Sequence, residues 1–125
     1  MDFLSFYEGI DATRIGIGGY SFGASMALEV ATQSDVVQAV ASIASPLQTL
    51  NDLSIHEIVL PKLLIAGDMD HVVPGDQFRF LSQRFVEPKE VHLIYGADHF
   101  FLGNEAEIGE KAADFFYRWL LRPPD

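Results

Sequence analysis

The sequence predicts an α/β fold in which a parallel sheet of about four strands carries helices on both faces. Two observations lead to this prediction. Four short apolar segments are typical of strands covered on both faces, and segments with helical spacing of apolar side chains separate most of them. There is no internal repeat, low-complexity tract or linker, so we expect a single domain over residues 1–125.

The first predicted elements surround a glycine-rich segment. Residues 2–9 are expected to end a helix that stops at Gly9, and residues 13–18 form a short apolar strand. Residues 22–33 follow as a helix with an apolar face of mostly small side chains: Ala24, Ala27, Leu28 and Ala31. Small side chains let a helix lie close to a sheet, so we expect this helix to pack directly on the strands.

The rest of the predicted sheet comes from three further segments. Residues 36–43 and 62–67 are nearly continuous in apolar side chains, as expected of strands buried on both faces. Residues 75–86 are predicted to be a helix with Phe78, Leu81 and Phe85 on one side. Residues 90–96 form the fourth strand, so the strands follow one another along the chain and are expected to lie side by side in that order.

The last helix has the clearest pattern. Asn104 and Glu107 have the spacing of a capping pair, and Pro123 stops the helix at its other end. One apolar stripe runs between them, formed by Ile108, Ala112, Phe115, Phe116, Trp119 and Leu120. We expect these six side chains to lie on one face of the helix.

The composition excludes several classes of function. The chain has 18 acidic and 8 basic side chains, a formal charge of −10 that disfavours nucleic acid and anionic membranes as partners. It has no cysteine, which excludes disulfides and zinc–thiolate sites. No apolar run reaches the ~20 residues of a membrane span, and the first ten residues lack the basic side chains of a signal peptide. We therefore expect a soluble, cytoplasmic protein.

Three chemically different side chains follow predicted strands. Ser21 comes after the first strand, Asp70 after the third and His99 after the fourth. The carboxyl ends of parallel strands lie at one edge of a sheet, where active sites of open α/β folds are found. A serine hydroxyl becomes a useful nucleophile when an imidazole takes its proton and a carboxylate orients that imidazole. The order Ser, Asp, His is that of the α/β-hydrolase triad.

Three sequence motifs resemble the α/β-hydrolases, and in particular the dienelactone-hydrolase-like branch. "RIGIGGYSFG" (14–23) resembles their nucleophile elbow, "GDMDHVVP" (67–74) their acid loop and "GADHFF" (96–101) their histidine loop. The resemblance covers about residues 2–121. It implies an esterase-like serine hydrolase that forms an acyl-enzyme without a cofactor. Ser21 would be its nucleophile, Asp70 its acid and His99 its base.

Other residues near these motifs leave alternatives open. Asp68 is the second choice for the acid, since two positions of slippage within a loop would exchange it with Asp70. Asp98 is expected to orient the histidine loop, and His71 to flank the site. A metal site built from Asp68, Asp70, His71 and His99 lacks the spacing of known zinc motifs, so we expect no metal. His56 and His92 are expected to be structural or exposed to solvent.

Neighbours of the triad suggest how substrate would be held. The amide of Phe22, at a helix N-terminus, is positioned by the motif to face a developing oxyanion. Tyr20 and Phe100 are expected to face the substrate, as are the side chains of Phe22 and Phe101. The connection over residues 44–58 is too short for a cap domain, so we expect an open site and a small or accessible acyl substrate.

The resemblance covers only the C-terminal half of an α/β-hydrolase. Members of this family place four more strands before the elbow, and the loop after their third strand supplies a second oxyanion-hole amide. The strand over residues 13–18 would then be an apolar edge, to be covered by a second copy or by a partner chain. A second hypothesis follows, in which the chain is a non-catalytic or truncated half-domain that acts as an interaction module or requires another chain for activity.

Overall fold

A computed structural model describes residues 15–121, and the helix expected over residues 2–9 lies outside this range. Four strands form one sheet: β1 (Ile15–Tyr20), β2 (Val37–Ile43), β3 (Lys62–Gly67) and β4 (Lys89–Ile94). They pair in the order β1-β2-β3-β4, and every pair is parallel. The predicted fold class and strand order are confirmed, and the observed strand ends lie within two residues of the predicted ones. The predicted start of β1 is not compared, because residues 13 and 14 are not described.

Within residues 15–121, five α-helices connect or follow the strands. They are α1 (Phe22–Gln33), α2 (Leu47–Leu50), α3 (Leu53–His56), α4 (Gly75–Ser82) and α5 (Glu105–Phe116). The short α2 and α3 were not predicted, because each is a single turn without a periodic pattern. α4 ends four residues earlier than expected, where the Lys89 ammonium donates to the main-chain oxygens of Ser82, Gln83 and Phe85.

Hydrophobic cores cover both faces of the sheet. On one face, α1 to α4 pack on the strands around Leu28, Val40, Leu64, Val73 and Phe78, which are all at most 1% exposed. On the other face, α5 covers Ala39, Ala41, Leu63, Ile65 and Ile94 with the fully buried Phe115. The near-continuous apolar character of β2 and β3 is thus explained by burial on both sides.

Two expectations for the last helix were wrong. Asn104 occupies the N-cap position, but its side chain makes no capping hydrogen bond. Trp119 is 45% exposed, and its indole donates to Glu90 over 3.4 Å. The helix widens to a π-type turn over Tyr117–Leu121, which changes the direction of every side chain after Phe116. A stripe extrapolated at 3.6 residues per turn therefore fails at Trp119.

The end of the sheet where β3 and β4 begin is held by buried or paired cations. Lys62 is fully buried, and its ammonium donates to the main-chain oxygens of Val86 and Pro88 at 2.7 and 2.9 Å. Burial lowers the pKa of Lys62 to about 8. Nearby, Arg118 donates two hydrogen bonds to the Glu90 carboxylate at 2.6 and 2.7 Å, and these bonds lower the pKa of Glu90.

The strand β1 lies at one edge of the sheet. Within residues 15–121 it pairs only with β2, so its outer side faces no other described strand. Gly16 of β1 lies against α5, since a Cβ at this position would come within 2.6 Å of the Phe116 ring and 2.8 Å of Leu120. None of the helices between residues 15 and 121 combines the length and the apolar character of a membrane-spanning segment.

Candidate active site

Ser21 is held in a strained turn between β1 and α1. Its backbone has φ 55° and ψ −117°, a conformation that non-glycine residues rarely adopt. The turn is so tight that a Cβ on Gly19 would lie 2.1 Å from the main-chain oxygen of Gly23. The Ser21 amide still donates to Ile43 at 2.7 Å, so the sheet ladder fixes this turn. Gly19 of the "GGYSFG" motif is therefore required by this backbone contact.

The helix α1 begins directly after this serine. The amides of Ala24 and Ser25 donate to the Ser21 carbonyl at 3.0 and 3.3 Å. Phe22 is the first helical residue, so its amide belongs to the group at a helix N-terminus that has no acceptor within the helix. Its side chain is 72% exposed. An amide in this position can bind negative charge that forms at the serine.

Asp70 lies in the loop after β3 and is oriented by the main chain. One carboxylate oxygen, Oδ1, accepts hydrogen bonds from the amides of Val72 and Val73 at 2.7 and 2.8 Å. The other, Oδ2, lies 2.8 Å from Nδ1 of His99. The side chain is fully buried, and the contacts on its two oxygens set the direction of the carboxylate.

His99 connects Asp70 with Ser21. Its Nε2 lies 3.0 Å from the Ser21 hydroxyl oxygen, while its Nδ1 faces Asp70. The side chain is 13% exposed, so the ring is shielded except at the mouth of the site. The structure thus brings together the three residues that the sequence places after three different strands. This arrangement can move a proton from a hydroxyl to an imidazole that a carboxylate orients.

The other candidate side chains make different contacts. Asp68 accepts from the Gly96 amide at 2.6 Å, and Asp98 accepts from the Phe100 amide at 3.0 Å. Both carboxylates therefore brace loops, and Asp70 is the one that contacts His99. His71 is exposed, and His56 is buried away from this edge, with its ring against Phe85. Among residues 15–121, no three His, Asp or Glu side chains converge as metal ligands.

Aromatic side chains surround the imidazole. Phe100 is 68% exposed and lies edge-on to the His99 ring, with centroids 5.5 Å apart. Tyr20 is half exposed, and its hydroxyl donates to the main-chain oxygen of His99 at 2.6 Å, a contact that sequence reasoning missed. Phe101 is 4% exposed and packs into the core beneath α5, so it offers substrate much less surface than Phe100 does. Its φ of 55° turns the chain inward at this point.

Two clefts open beside the serine turn. The first has a volume of about 390 Å³ and adjoins Tyr20; it is lined by Tyr20, Ile43, Phe100, Phe101, Glu105, Ile108 and Gly109. The second has a volume of about 350 Å³ and adjoins Phe22; it is lined by Phe22, Ser25, Met26, Glu29, Pro46, Gln48, Thr49 and Asp52. Within the described part of the chain, neither lining includes a lysine or arginine.

Direct backbone contact sets the spacing of the acid and histidine loops. A Cβ on Gly67, the last residue of β3, would lie 2.3 Å from the main-chain oxygen of Ala97. The Met69 amide donates to the same oxygen at 2.9 Å. The absence of a side chain at position 67 therefore allows the two loops to meet, and this contact brings Asp70 within reach of His99.

Known proteins resemble this chain in sequence and in structure. A hydrolase structure from Coxiella burnetii, described as an alpha-beta serine hydrolase homologue, is 32% identical with a TM-score of 0.72, and the match covers 81% of this chain and 48% of that one. An esterase domain from Rhodothermus marinus shares the fold at 21% identity and a TM-score of 0.76, with 94% and 65% covered. The uncharacterized protein RP471 of Rickettsia prowazekii is 25% identical over 105 residues, which are 78% of this chain and 44% of that protein.

The chain spans about half the length of the Coxiella and Rickettsia proteins. The sequence pattern of one family matches nearly all of it, from residue 2 to residue 120. This match includes the serine turn, the acid loop and the histidine loop described above. The chain belongs to the dienelactone hydrolase family.

Proposed function

We propose that this chain is a serine hydrolase that cleaves an ester-like acyl bond, with Ser21 as nucleophile, His99 as base and Asp70 as acid. The observation that carries the proposal is the continuous chain of contacts from the Ser21 hydroxyl through both nitrogens of His99 to the Asp70 carboxylate, at 3.0 and 2.8 Å. Membership of a hydrolase family and the resemblance to serine hydrolases support it.

The reaction would proceed in two halves. The Ser21 oxygen attacks the acyl carbon while its proton passes to Nε2 of His99. The bond to the leaving alcohol then breaks, and Nε2 returns the proton to the departing oxygen, which leaves an acyl-enzyme. In the second half, water takes the place of the serine as the attacking group and passes its proton to the same nitrogen. The acid product leaves, and Ser21 recovers its proton.

Asp70 would hold the imidazole in the tautomer that this reaction requires. A proton on Nδ1 is directed at Oδ2 of Asp70, which leaves Nε2 free to accept from Ser21. The two amides on Oδ1 prevent the carboxylate from rotating and stabilise its negative charge. An imidazolium formed during the reaction therefore lies beside a fixed, buried anion.

The Phe22 amide would stabilise the oxyanion, helped by the partial positive charge of the α1 N-terminus. Both clefts beside Ser21 are open to solvent, and only the short α2 and α3 occupy the connection where a cap could lie. Tyr20 and Phe100 line the more apolar of these clefts, on the histidine side of the serine. A small acyl substrate with apolar groups fits this surface best.

Labelling with a fluorophosphonate probe tests the proposal. The wild-type chain should form one covalent adduct on Ser21, identified by mass spectrometry, as the serine oxygen displaces fluoride from phosphorus. Ser21→Ala should abolish the adduct, whereas Ser25→Ala, one turn further along α1, should retain it. A folded wild-type chain with no adduct on Ser21 would contradict the proposed function.

A second candidate is that the chain is active only together with another polypeptide. Two observations favour it: the outer side of β1 pairs with no described strand, and the chain spans about half of its relatives. Light scattering combined with the labelling assay separates the two. If the adduct forms only in fractions larger than a monomer, the second candidate is correct; if the monomer is labelled, it is wrong.

A further inference from the structure

His99 has to reach across the sheet to meet Ser21. Its loop follows β4, whereas Ser21 follows β1, and two strands lie between them. Neighbouring strands are about 5 Å apart, so the loop must extend its main chain over more than 10 Å. Asp70 holds the imidazole from the β3 side of this gap. Something must also hold the loop on the β1 side.

Few contacts are available for that purpose. Within residues 15–121, two hydrogen bonds join residues 98–103 to β1 and the serine turn: the one between Ser21 and His99, and the one that the Tyr20 hydroxyl donates to the His99 carbonyl. The other hydrogen bonds of Asp98, Phe100 and Phe101 stay within the loop. Of the hydrogen bonds among the described residues, the Tyr20 bond is the one that reaches the main chain of His99 from the side of Ser21.

The geometry of Tyr20 suits this task. Its hydroxyl lies 2.6 Å from an oxygen 79 residues away in the chain. Its ring packs against the His99 ring with centroids 5.6 Å apart, and edge-on against Phe101 at 6.4 Å. Because Tyr20 directly precedes Ser21, whatever fixes the serine turn also fixes the base of this side chain. The length of the Tyr20 side chain therefore sets the distance between the serine turn and the histidine loop.

We propose that Tyr20 is a positioning residue, whose hydroxyl holds the histidine loop over the serine turn and thereby keeps Nε2 of His99 in line with the Ser21 hydroxyl. This inference rests on the proposed function for its effect on rate. It assigns Tyr20 a role other than lining the substrate cleft. Removal of the hydroxyl should loosen the loop and slow proton transfer while leaving substrate binding nearly unchanged.

Tyr20→Phe tests the proposal, with Tyr95→Phe as a matched control. Tyr95 is 90% exposed, lies at the start of the same loop and makes no side-chain hydrogen bond within the described chain. With an aryl ester, Tyr20→Phe should lower kcat about tenfold and change KM less than about twofold, since misplacement of a reacting group affects the chemical step. Tyr95→Phe should match the wild type. An unchanged kcat in Tyr20→Phe would overturn the proposal.

The pH profile gives a readout that a purely structural role would not change. A phenol must keep its proton to donate, and burial, helped by the charges of Asp70 and Asp98, raises the pKa of Tyr20 above its ordinary value. The other titratable groups at this side chain are His99 and, across the first cleft, Glu105 of α5. Ionisation of Tyr20 is therefore expected only above the ordinary phenol pKa of ~10, and the phenolate would then repel the His99 carbonyl. The wild type should therefore lose activity there, and Tyr20→Phe should lack this alkaline decline.

Hydrogen–deuterium exchange of the peptide over residues 95–104 separates this inference from the proposed function. Tyr20→Phe should accelerate exchange in this peptide, and Tyr95→Phe should not. If no variant forms a Ser21 adduct, the hydrolase proposal fails, and the exchange rates still decide whether the hydroxyl holds the loop. Equal exchange in wild type and Tyr20→Phe would refute the contact itself, and faster exchange without loss of rate would refute its role in catalysis.

Discussion

At both ends of the sheet, polar side chains join segments that are distant in the sequence. The surroundings of these side chains differ between the two ends. Where β3 and β4 begin, the cations of Lys62 and Lys89 lie on main-chain oxygens, and Arg118 pairs with Glu90. Where the strands end, a hydroxyl, an imidazole and a carboxylate form a line that opens to solvent beside Ser21, whose backbone is strained.

The difference indicates that contacts at the first end contribute mainly to the free energy of unfolding, whereas contacts at the second end contribute mainly to the reaction rate. At the first end each cation has its acceptors, so a change there should affect the free energy of unfolding and not the chemistry. At the second end the Ser21 hydroxyl has an acceptor that can also release its proton, so a change there should affect rate more than stability. Four predictions test this separation, in order of decreasing expected effect.

Asp70→Asn should have the largest effect, on rate alone. An amide in place of the carboxylate favours the wrong tautomer of His99, and this is expected to lower kcat/KM by about 10³–10⁴-fold in steady-state ester hydrolysis. Asp68→Asn is the matched control in the same loop, because Asp68 binds the Gly96 amide and not His99. It should cost less than about tenfold. If the two losses were reversed, Asp68 would be the acid.

Lys62→Met should change the pH dependence of stability at the opposite end. The pKa of Lys62 is about 8 in the folded chain, below its ordinary value of ~10.4, so in this interval the unfolded chain binds more protons. Wild-type stability should therefore rise from pH 8 to 10.5, by roughly 2–3 kcal/mol relative to Lys62→Met. Urea unfolding at a series of pH values gives the free energy of unfolding of the wild type and of Lys62→Met. Groups that titrate in both proteins contribute equally and cancel when one free energy is subtracted from the other. Parallel stability curves would contradict the prediction.

Gly16→Ala should weaken the packing of α5 on β1. The added methyl group would meet the Phe116 ring at 2.6 Å and Leu120 at 2.8 Å, so the helix has to move, at a cost of about 1–2 kcal/mol in thermal or urea unfolding. Gly18→Ala, two residues along the same strand, would meet Ala41 at an ordinary 3.5 Å and is the control. Equal stability of the two variants would show that α5 does not depend on this contact.

Charge on the substrate should have the smallest effect. Among their titratable groups the two clefts beside Ser21 contain the carboxylates of Glu29, Asp52 and Glu105, and no described cation. The mono-p-nitrophenyl ester of succinic acid should therefore react about 3–10-fold more slowly than the neutral p-nitrophenyl butyrate, after correction for spontaneous hydrolysis. The ratio should approach one at ~0.5 M salt. A faster reaction of the anionic ester would require a cation that the described residues do not supply.

Much of this arrangement could be predicted from the sequence, because it follows from periodicity and chain order. Apolar segments placed the strands, and a parallel sheet then brings Ser21, Asp70 and His99 to one edge. The choice between Asp68 and Asp70 stayed open, since it depends on which carboxylate the Val72 and Val73 amides orient. Loop hydrogen bonds of this kind leave no periodic signal.

Other details depend on tertiary geometry. The exposure of Trp119 follows from a widened helical turn, and the burial of Phe101 from a positive φ. Neither conformation is marked by a glycine or a proline at that position. The hydrogen bond of Tyr20 joins atoms 79 residues apart and is visible only once the strand order is known. Sequence reasoning thus predicts which side chains meet, and less well which way each one points.

The contact between Gly67 and the main-chain oxygen of Ala97 has a consequence for engineering. It constrains the separation of the loops that carry Asp70 and His99 through backbone atoms, independently of the side chains that surround them. Phe22 and Phe100 are largely exposed and take no part in that contact. A library randomised at these two positions could therefore explore new substrate preferences while every member keeps the backbone contact between the loops that carry Asp70 and His99.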